Sequence, residues 1–310
     1  MGQGVGFGKV ILFNEHFVVY GIPAVASAVG ARTTALVERK SGSGYELKDE
    51  RPETLGYKAE KLEQQRESLE IMLKFMKIDT QQNHYVITLG GDLIAASGVG
   101  ASAASCAAIA RAFSQELVLN FSDEKVNEVA YEGEKGYHGT PSGIDNTAAT
   151  YGGLIWYRRE GSEQLMERMR LRKPIEIVMG NTGKVADTRV VVAGVKERKE
   201  KEPEKYARIF QEADQLVRNA RKQLEAFNLE KVGACMNENH MLLREIGVSS
   251  PDLDALVKLA LDTGAAGAKL TGTGRGGYMV ALTPGRELQD RVANEIETHG
   301  FQALRTLIGI

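Results

Sequence analysis

The chain has 310 residues, 43% hydrophobic and 26% charged, with a formal net charge of -2. That length suits two compact domains, and the near-neutral balance gives no global field for nucleic acid or an anionic membrane. No run approaches the roughly 18 apolar residues of a membrane-spanning helix. The glycine-rich start, Met1 to Gly8, lacks the basic-then-apolar pattern of a secretory signal. Cys106 and Cys235 have no metal-ligand spacing and suit a reducing compartment, so a cytoplasmic protein is expected.

In chain order, Val10 to Phe13 predict a strand that enters the polar turn Asn14-Glu15-His16 and resumes at Phe17-Val18-Val19. Small and β-branched residues from Ala24 to Val37 predict a second strand. Leu62, Leu69, Met72, Leu73 and Met76, with charges between them, predict an amphipathic helix over Lys58 to Met76. Tyr85 to Leu89 reads as a strand, Gly90 to Ser102 as a loop, and Ala103 to Phe113 as an alanine-rich helix. Val126 to Gly133 reads as a helix opened by Ser122-Asp123-Glu124. After Leu154 to Tyr157, a strand, the charge-dense run Arg158 to Lys173 predicts a domain boundary, giving domains 1–172 and 173–310. Ile175 to Met179 then starts a new strand. Lys196 to Lys205 alternates Glu with Lys and reads as a solvated helix entrance. Helices follow over Tyr206 to Phe227, Leu229 to Glu245 and Leu253 to Thr263. A glycine loop feeding a strand covers Lys269 to Leu282, and a helix and a last strand close the chain.

Several segments carry chemistry. His138-Gly139-Thr140-Pro141-Ser142-Gly143-Ile144-Asp145-Asn146 puts an acid, a histidine and an amide on a backbone constrained by glycine and proline. Asp145 is the candidate general base; an Asp-Asn turn that only caps a helix is the plain alternative. Ser97-Gly98-Val99-Gly100-Ala101-Ser102-Ala103 offers glycines and a helix start, a combination that holds phosphate on backbone N–H groups. It is not a Walker A loop, because no Gly-Lys-Ser/Thr follows. A helix start packed tightly on a sheet would read the same way. Gly272-Thr273-Gly274-Arg275-Gly276-Gly277 satisfies G-x-G-x-x-G, but strand-like residues follow it near the chain end, which argues against a dinucleotide fingerprint.

Taken together, these loops and the opening Gly8-Lys9-Val10-Ile11-Leu12-Phe13-Asn14-Glu15-His16 resemble the kinase family named for galactokinase, homoserine kinase, mevalonate kinase and phosphomevalonate kinase (GHMP). Glu132-Gly133-Glu134 with His138 to Asn146, Met236 to Leu242, and Lys269 to Gly277 are similar to its mevalonate-acting members. The sequence departs from the family at Asn14, where glycine is usual, at Ala101, where serine is common, and at Tyr278, where a small residue or cysteine is typical. A proline usual before the phosphate loop is missing.

The resemblance implies an α+β, two-domain fold. Its N-terminal domain would be a sheet with helices and its C-terminal domain ferredoxin-like, with the active site in the cleft between. It implies phosphoryl transfer from ATP, with Mg2+, to mevalonate, or to another small acceptor such as phosphomevalonate, homoserine or a sugar. A nucleotide-binding protein without transferase activity is a further reading, which has no use for Lys9, Glu134 and Asp145 together. By resemblance, Asp145 and Lys9 are catalytic. Ser97, Gly98, Val99, Gly100, Ala101, Ser102 and Ala103 bind ATP phosphates, and Ser102 and Glu134 hold the metal. Glu15, His16, Arg159, Thr188, Gly272 and Thr273 bind the acceptor, with Arg159 chosen over Arg158 for a substrate carboxylate. The expected partners are small molecules, with no nucleic acid and no membrane, and the family expectation is a homodimer.

Overall fold

The computed structural model describes residues 1–52, 57–93, 99–139, 141–161, 163–184, 186 and 188–310. The chain divides into two compact units: Met1–Lys9 with Ala28–Gly152, and Val10–Ser27 with Gly153–Ile310. The later crossing falls at Gly152 and Gly153, ahead of the charged run where the sequence predicts the boundary. The earlier crossings fall inside strands, where composition leaves no mark. Among the described residues no helix is long and apolar enough to cross a membrane.

The first unit takes most of its sheet from β1 (Gly2–Phe13), β2 (Ala24–Lys40), β3 (Gly44–Asp49) and β4 (His84–Gly91). Strand order is β3-β4-β2, with β1 also paired to β2. β3 runs parallel to β4, and β4 antiparallel to β2. Among the described residues four helices belong here: α1 (Tyr57–Phe75), α2 (Ala101–Glu116), α3 (Asp123–His138) and α4 (Ile144–Tyr151).

The glycine-rich start is therefore part of a strand whose glycine face is buried, and α2 explains why it needs glycine. A Cβ on Gly2, Gly4 or Gly6 would lie 2.2, 2.0 and 2.0 Å from the carbonyl oxygens of Ala112, Ala108 and Ala104. A period of two on the strand thus meets a period of four on the helix, and the two backbones touch. On α1, Leu69, Met72 and Leu73, with Met76 just past its end, are buried as the pattern predicts, but Leu62 is 42% exposed, so the apolar face covers only the later turns. The Ser122 side chain caps α3 by accepting from Lys125 N–H, with Asp123 and Glu124 in the first turn.

The second unit contains β5 (Leu154–Glu160), β6 (Glu163–Met169), β7 (Ile175–Asn181), β8 (Gly267–Thr271), β9 (Tyr278–Leu282) and β10 (Gln302–Ile308). Its helices are α5 (Thr188–Lys201), α6 (Pro203–Glu225), α7 (Leu229–Glu245), α8 (Pro251–Asp262) and α9 (Arg286–Thr298). The order β10-β7-β9-β8 is the ferredoxin-like arrangement, with α5, α6, α7 and α8 between the first and second of its strands. β5 and β6 form an antiparallel hairpin with Leu154 opposite Met169. β6 lies inside the charged run that reads as a boundary; its exposed Glu167 pairs with Arg221. Phe17–Tyr20 form a 3-10 turn rather than the resumed strand, with Phe17 and Val18 buried. Gly233 of α7 and Gly267 of β8 cross at backbone distance. A Cβ on Gly233 would sit 2.0 Å from Ala266 O.

Candidate active site

The phosphate side belongs to the first unit. α2 begins after Gly100, which has φ +75° and no side-chain cap. The first N–H groups of the helix have no intrahelical partner, and no acidic residue stands in the first turn, so this end suits an anion. Val99, Gly100, Ala101, Ser102 and Ala103 are all at this end; Ser97 and Gly98 lie outside the described residues. Ala101 carries no hydroxyl, but its carbonyl accepts from Arg51 Nη1 at 3.2 Å and Ser105 Oγ at 2.7 Å. Arg51 is buried and is paired with Asp49, which also accepts from Gln65. Arg51 thus ties the start of α2 to the end of β3, a role with no signal in the sequence.

Lys9 ends the first segment of this unit. Its N–H donates to Val99 O at 2.7 Å, and its ammonium is 2.9 Å from Asp145 Oδ1. A Cβ on Gly100 would be 2.7 Å from Lys9 Cγ, so the glycine leaves the space that the lysine stem occupies. Asp145 lies in the first turn of α4, a helical position and not the loop that the sequence suggests, and its side chain is 28% exposed. Asn146 Nδ2 donates to Asn127 Oδ1 at 2.8 Å, which fastens the start of α4 to α3.

Glu134, on α3, is only 1% exposed. Burial pushes its carboxyl up to about 8; the neighbouring Asp145 adds to this, while a hydrogen bond to Ser102 and the charge of Lys9 oppose it. Glu134 Oε1 is buried without a hydrogen-bond partner. An unpartnered carboxylate oxygen beside a hydroxyl is a donor set suited to a hard divalent cation. Among the described residues no group of three or more His, Cys, Asp or Glu side chains could hold a metal. A cation at Ser102 and Glu134 would therefore take its other ligands from phosphate and water. His138, at the end of α3, has Nε2 3.8 Å from Glu134 Oε2 and is half exposed.

The acceptor residues named from the sequence belong to the second unit. Glu15 is ion-paired with Lys269, and both are buried. Lys269 Nζ also donates to Leu270 O at 2.6 Å. Burial holds the Lys269 ammonium below its ordinary value, against the opposing charge of Glu15. Read as sequence, this lysine is simply the residue before a glycine loop. His16 is buried, and its Nε2 lies 2.7 Å from Thr273 O. A carbonyl only accepts, so Nε2 carries the proton and, in the neutral ring, Nδ1 is a lone pair. Burial lowers the His16 pKa, and Lys269 and Arg198 act in the same direction.

Thr188, the first residue of α5, has Oγ1 2.7 Å from Thr273 Oγ1. Gly272 to Gly277 link β8 to β9 as a hairpin loop and open no helix, in agreement with the argument against a dinucleotide fingerprint. Gly274 has φ +75° and its Cβ position lies 2.1 Å from Val248 O. Tyr278 is buried as the first residue of β9. The structure thus forms two bonded sets here: Glu15 with Lys269, and His16 with Thr273 and Thr188. Among the described residues, Arg159 is hydrogen-bonded to neither set. It is exposed on β5, its Nε donates to Gly161 O at 3.1 Å, and its carbonyl faces Gly21, which closes the turn after His16.

An anion-binding helix start, a lysine–aspartate pair beside a buried carboxylate, and a ferredoxin-like second unit together describe a small-molecule kinase. Residues 65–153 match the family profile described as "GHMP kinases N terminal domain", and residues 220–302 match "GHMP kinases C terminal". The chain belongs to the GHMP kinase family. It is similar to the mevalonate kinase of Pyrococcus horikoshii, 35% identical over 94% of this chain and 91% of that protein. It is also similar to the mevalonate kinase of Thermococcus gammatolerans, 34% identical over 97% of this chain and 94% of the relative. Among solved structures, the L. major mevalonate kinase in complex with R-mevalonate superposes with a TM-score of 0.97. That protein is 38% identical, and the match covers 99% of this chain and 96% of that one.

Proposed function

We propose that this chain transfers the γ-phosphoryl group of ATP to the primary alcohol of mevalonate, releasing 5-phosphomevalonate and ADP. The observation that carries this reading is the Lys9–Asp145 pair, 2.9 Å apart, in the unit that also carries the free start of α2 and Glu134. The names of the full-length relatives and the R-mevalonate in the L. major structure support the choice of acceptor.

In this mechanism the alcohol oxygen forms the new P–O bond as the bond to ADP breaks, and the alcohol proton passes to the Asp145 carboxylate. Lys9 offsets negative charge that spreads over the transferring group. The N–H groups at the start of α2 hold the phosphates. Ser102 and Glu134 would hold magnesium, which supplies positive charge at those phosphates. Glu15, fixed by Lys269, and His16, fixed by Thr273, orient the acceptor, and Thr188 shares its hydroxyl hydrogen bond with Thr273. Arg159 offers a planar cation for the acceptor carboxylate. The buried free thiols of Cys106 and Cys235 support a reducing, cytoplasmic setting.

A coupled ADP-release assay with mevalonate, phosphomevalonate, homoserine and galactose tests the proposal. Mevalonate should give the highest kcat/KM. A better rate with any of the others would reassign the acceptor and leave the kinase chemistry in place.

A further inference from the structure

Asn14 is the first residue of the turn that carries Glu15 and His16, and it has φ +68°. This left-handed conformation strains most side chains; asparagine is one of the few that adopt it readily. The residue is fully buried, so its amide must find its partners inside the protein. It does so on three sides. Asn14 Nδ2 donates to Pro23 O at 2.9 Å and to Ala213 O at 3.0 Å. Asn239, fully buried on α7, donates through Nδ2 to Asn14 Oδ1 at 3.0 Å. The Asn14 backbone N–H donates in return to Asn239 Oδ1 at 3.1 Å. Four bonds therefore run through one side chain and its backbone, linking the turn to α6, to α7 and to the segment before β2.

α7 is itself fixed against β8 by the Gly233–Gly267 crossing, and β8 carries Lys269, the partner of Glu15. His240, next to Asn239, accepts the Leu270 N–H through Nδ1 at 3.3 Å. One helix thus holds both the turn that bears Glu15 and the strand that bears its counter-ion. We propose that Asn14 and Asn239 are a positioning pair that sets the placement of Glu15 and His16, and with it the affinity for the acceptor. The proposal rests on the reading of those two residues as acceptor ligands.

The test compares Asn14→Gly, Asn239→Asp and the double variant with the wild type. Glycine keeps the positive φ and removes the amide. Aspartate at 239 keeps an oxygen for the Asn14 N–H and turns its other oxygen, in place of a donor, toward Asn14 Oδ1. Each single variant should raise KM for mevalonate about tenfold while KM for ATP stays within about twofold. Calorimetric binding of mevalonate without ATP should weaken by the same factor. The double variant should be no worse than the poorer single one, because the residues act as a unit. Parallel shifts in both KM values, additive losses, unchanged kinetics, or insolubility of both single variants would make the pair merely structural and overturn the proposal. A wild type inactive on mevalonate would remove the acceptor reading and this proposal together. A wild type active on mevalonate whose variants lack the split removes only the pair.

Discussion

Glu134→Gln separates the cost of the Glu134 charge from its use. In the unfolded chain this carboxyl titrates near 4.5, and in the fold near about 8. The fold favours the protonated form, so the stabilising contribution is complete below pH 4.5 and disappears as the pH rises to about 8. The displacement spans about 3.5 on the pH scale, and each pH unit corresponds to about 1.36 kcal/mol, a ceiling of about 5 kcal/mol. Glutamine keeps the shape and the Ser102 contact but carries no charge at any pH. Urea unfolding of both proteins, without magnesium or nucleotide, from pH 5 to 8.5 should show profiles that diverge. The variant should be nearly as stable as the wild type at pH 5 and more stable by several kcal/mol at pH 8. With magnesium and ATP the order should reverse at pH 8, because the wild-type carboxylate then has a cation to meet. A difference between the proteins that stays within about 0.5 kcal/mol across the whole range would refute the reasoning, since the burial of Glu134 would then have no energetic consequence.

Asp145→Asn should lower kcat by about 100- to 10,000-fold and leave ATP binding nearly intact; a variant above a tenth of wild-type turnover would remove Asp145 as the base. Gly4→Ala places a methyl 2.0 Å from the Ala108 carbonyl and should cost about 1–3 kcal/mol in urea unfolding. Gln3→Ala, on the exposed face of β1, should stay within about 0.5 kcal/mol. Arg159→Ala should raise KM for mevalonate about tenfold or more, as expected for a charged hydrogen bond, without changing KM for ATP. Equal behaviour of Arg158→Ala would show that the effect is general charge and not a specific contact.

The fold class and the order of most elements were legible in the sequence. Asp145 stands out by itself, in a polar turn constrained by glycine and proline, whereas Lys9 and Glu134 are singled out only through the family resemblance; α7 covers the run predicted as a helix, with Asn228 capping its start. Features that depend on distant backbone were hidden. Met1 to Gly8 shows only as a glycine-rich start until α2 is laid against it. β6 looks like a charged linker because one exposed hairpin strand tolerates charge on its outer face. Lys269 reads only as the residue before a glycine loop, since its carboxylate partner Glu15 lies 254 residues away in sequence. Asn14 reads as a departure from a glycine position. Its φ of +68° shows that the backbone requirement is unchanged, with an amide added to it.

The contact between β1 and α2 also constrains how the gene could repair damage. What blocks a side chain at Gly2, Gly4 or Gly6 is helix backbone, the carbonyls of Ala112, Ala108 and Ala104, and not a side chain that could be trimmed. A second-site change on the facing helix residues therefore has nothing to remove. A suppressor would have to shift α2 as a whole, and that helix carries Ser102 and the N–H groups proposed to hold phosphate at its first turn. Selection for growth should thus recover only true revertants at these three glycines, whereas lesions at ordinary core positions of the same unit should yield compensating partners.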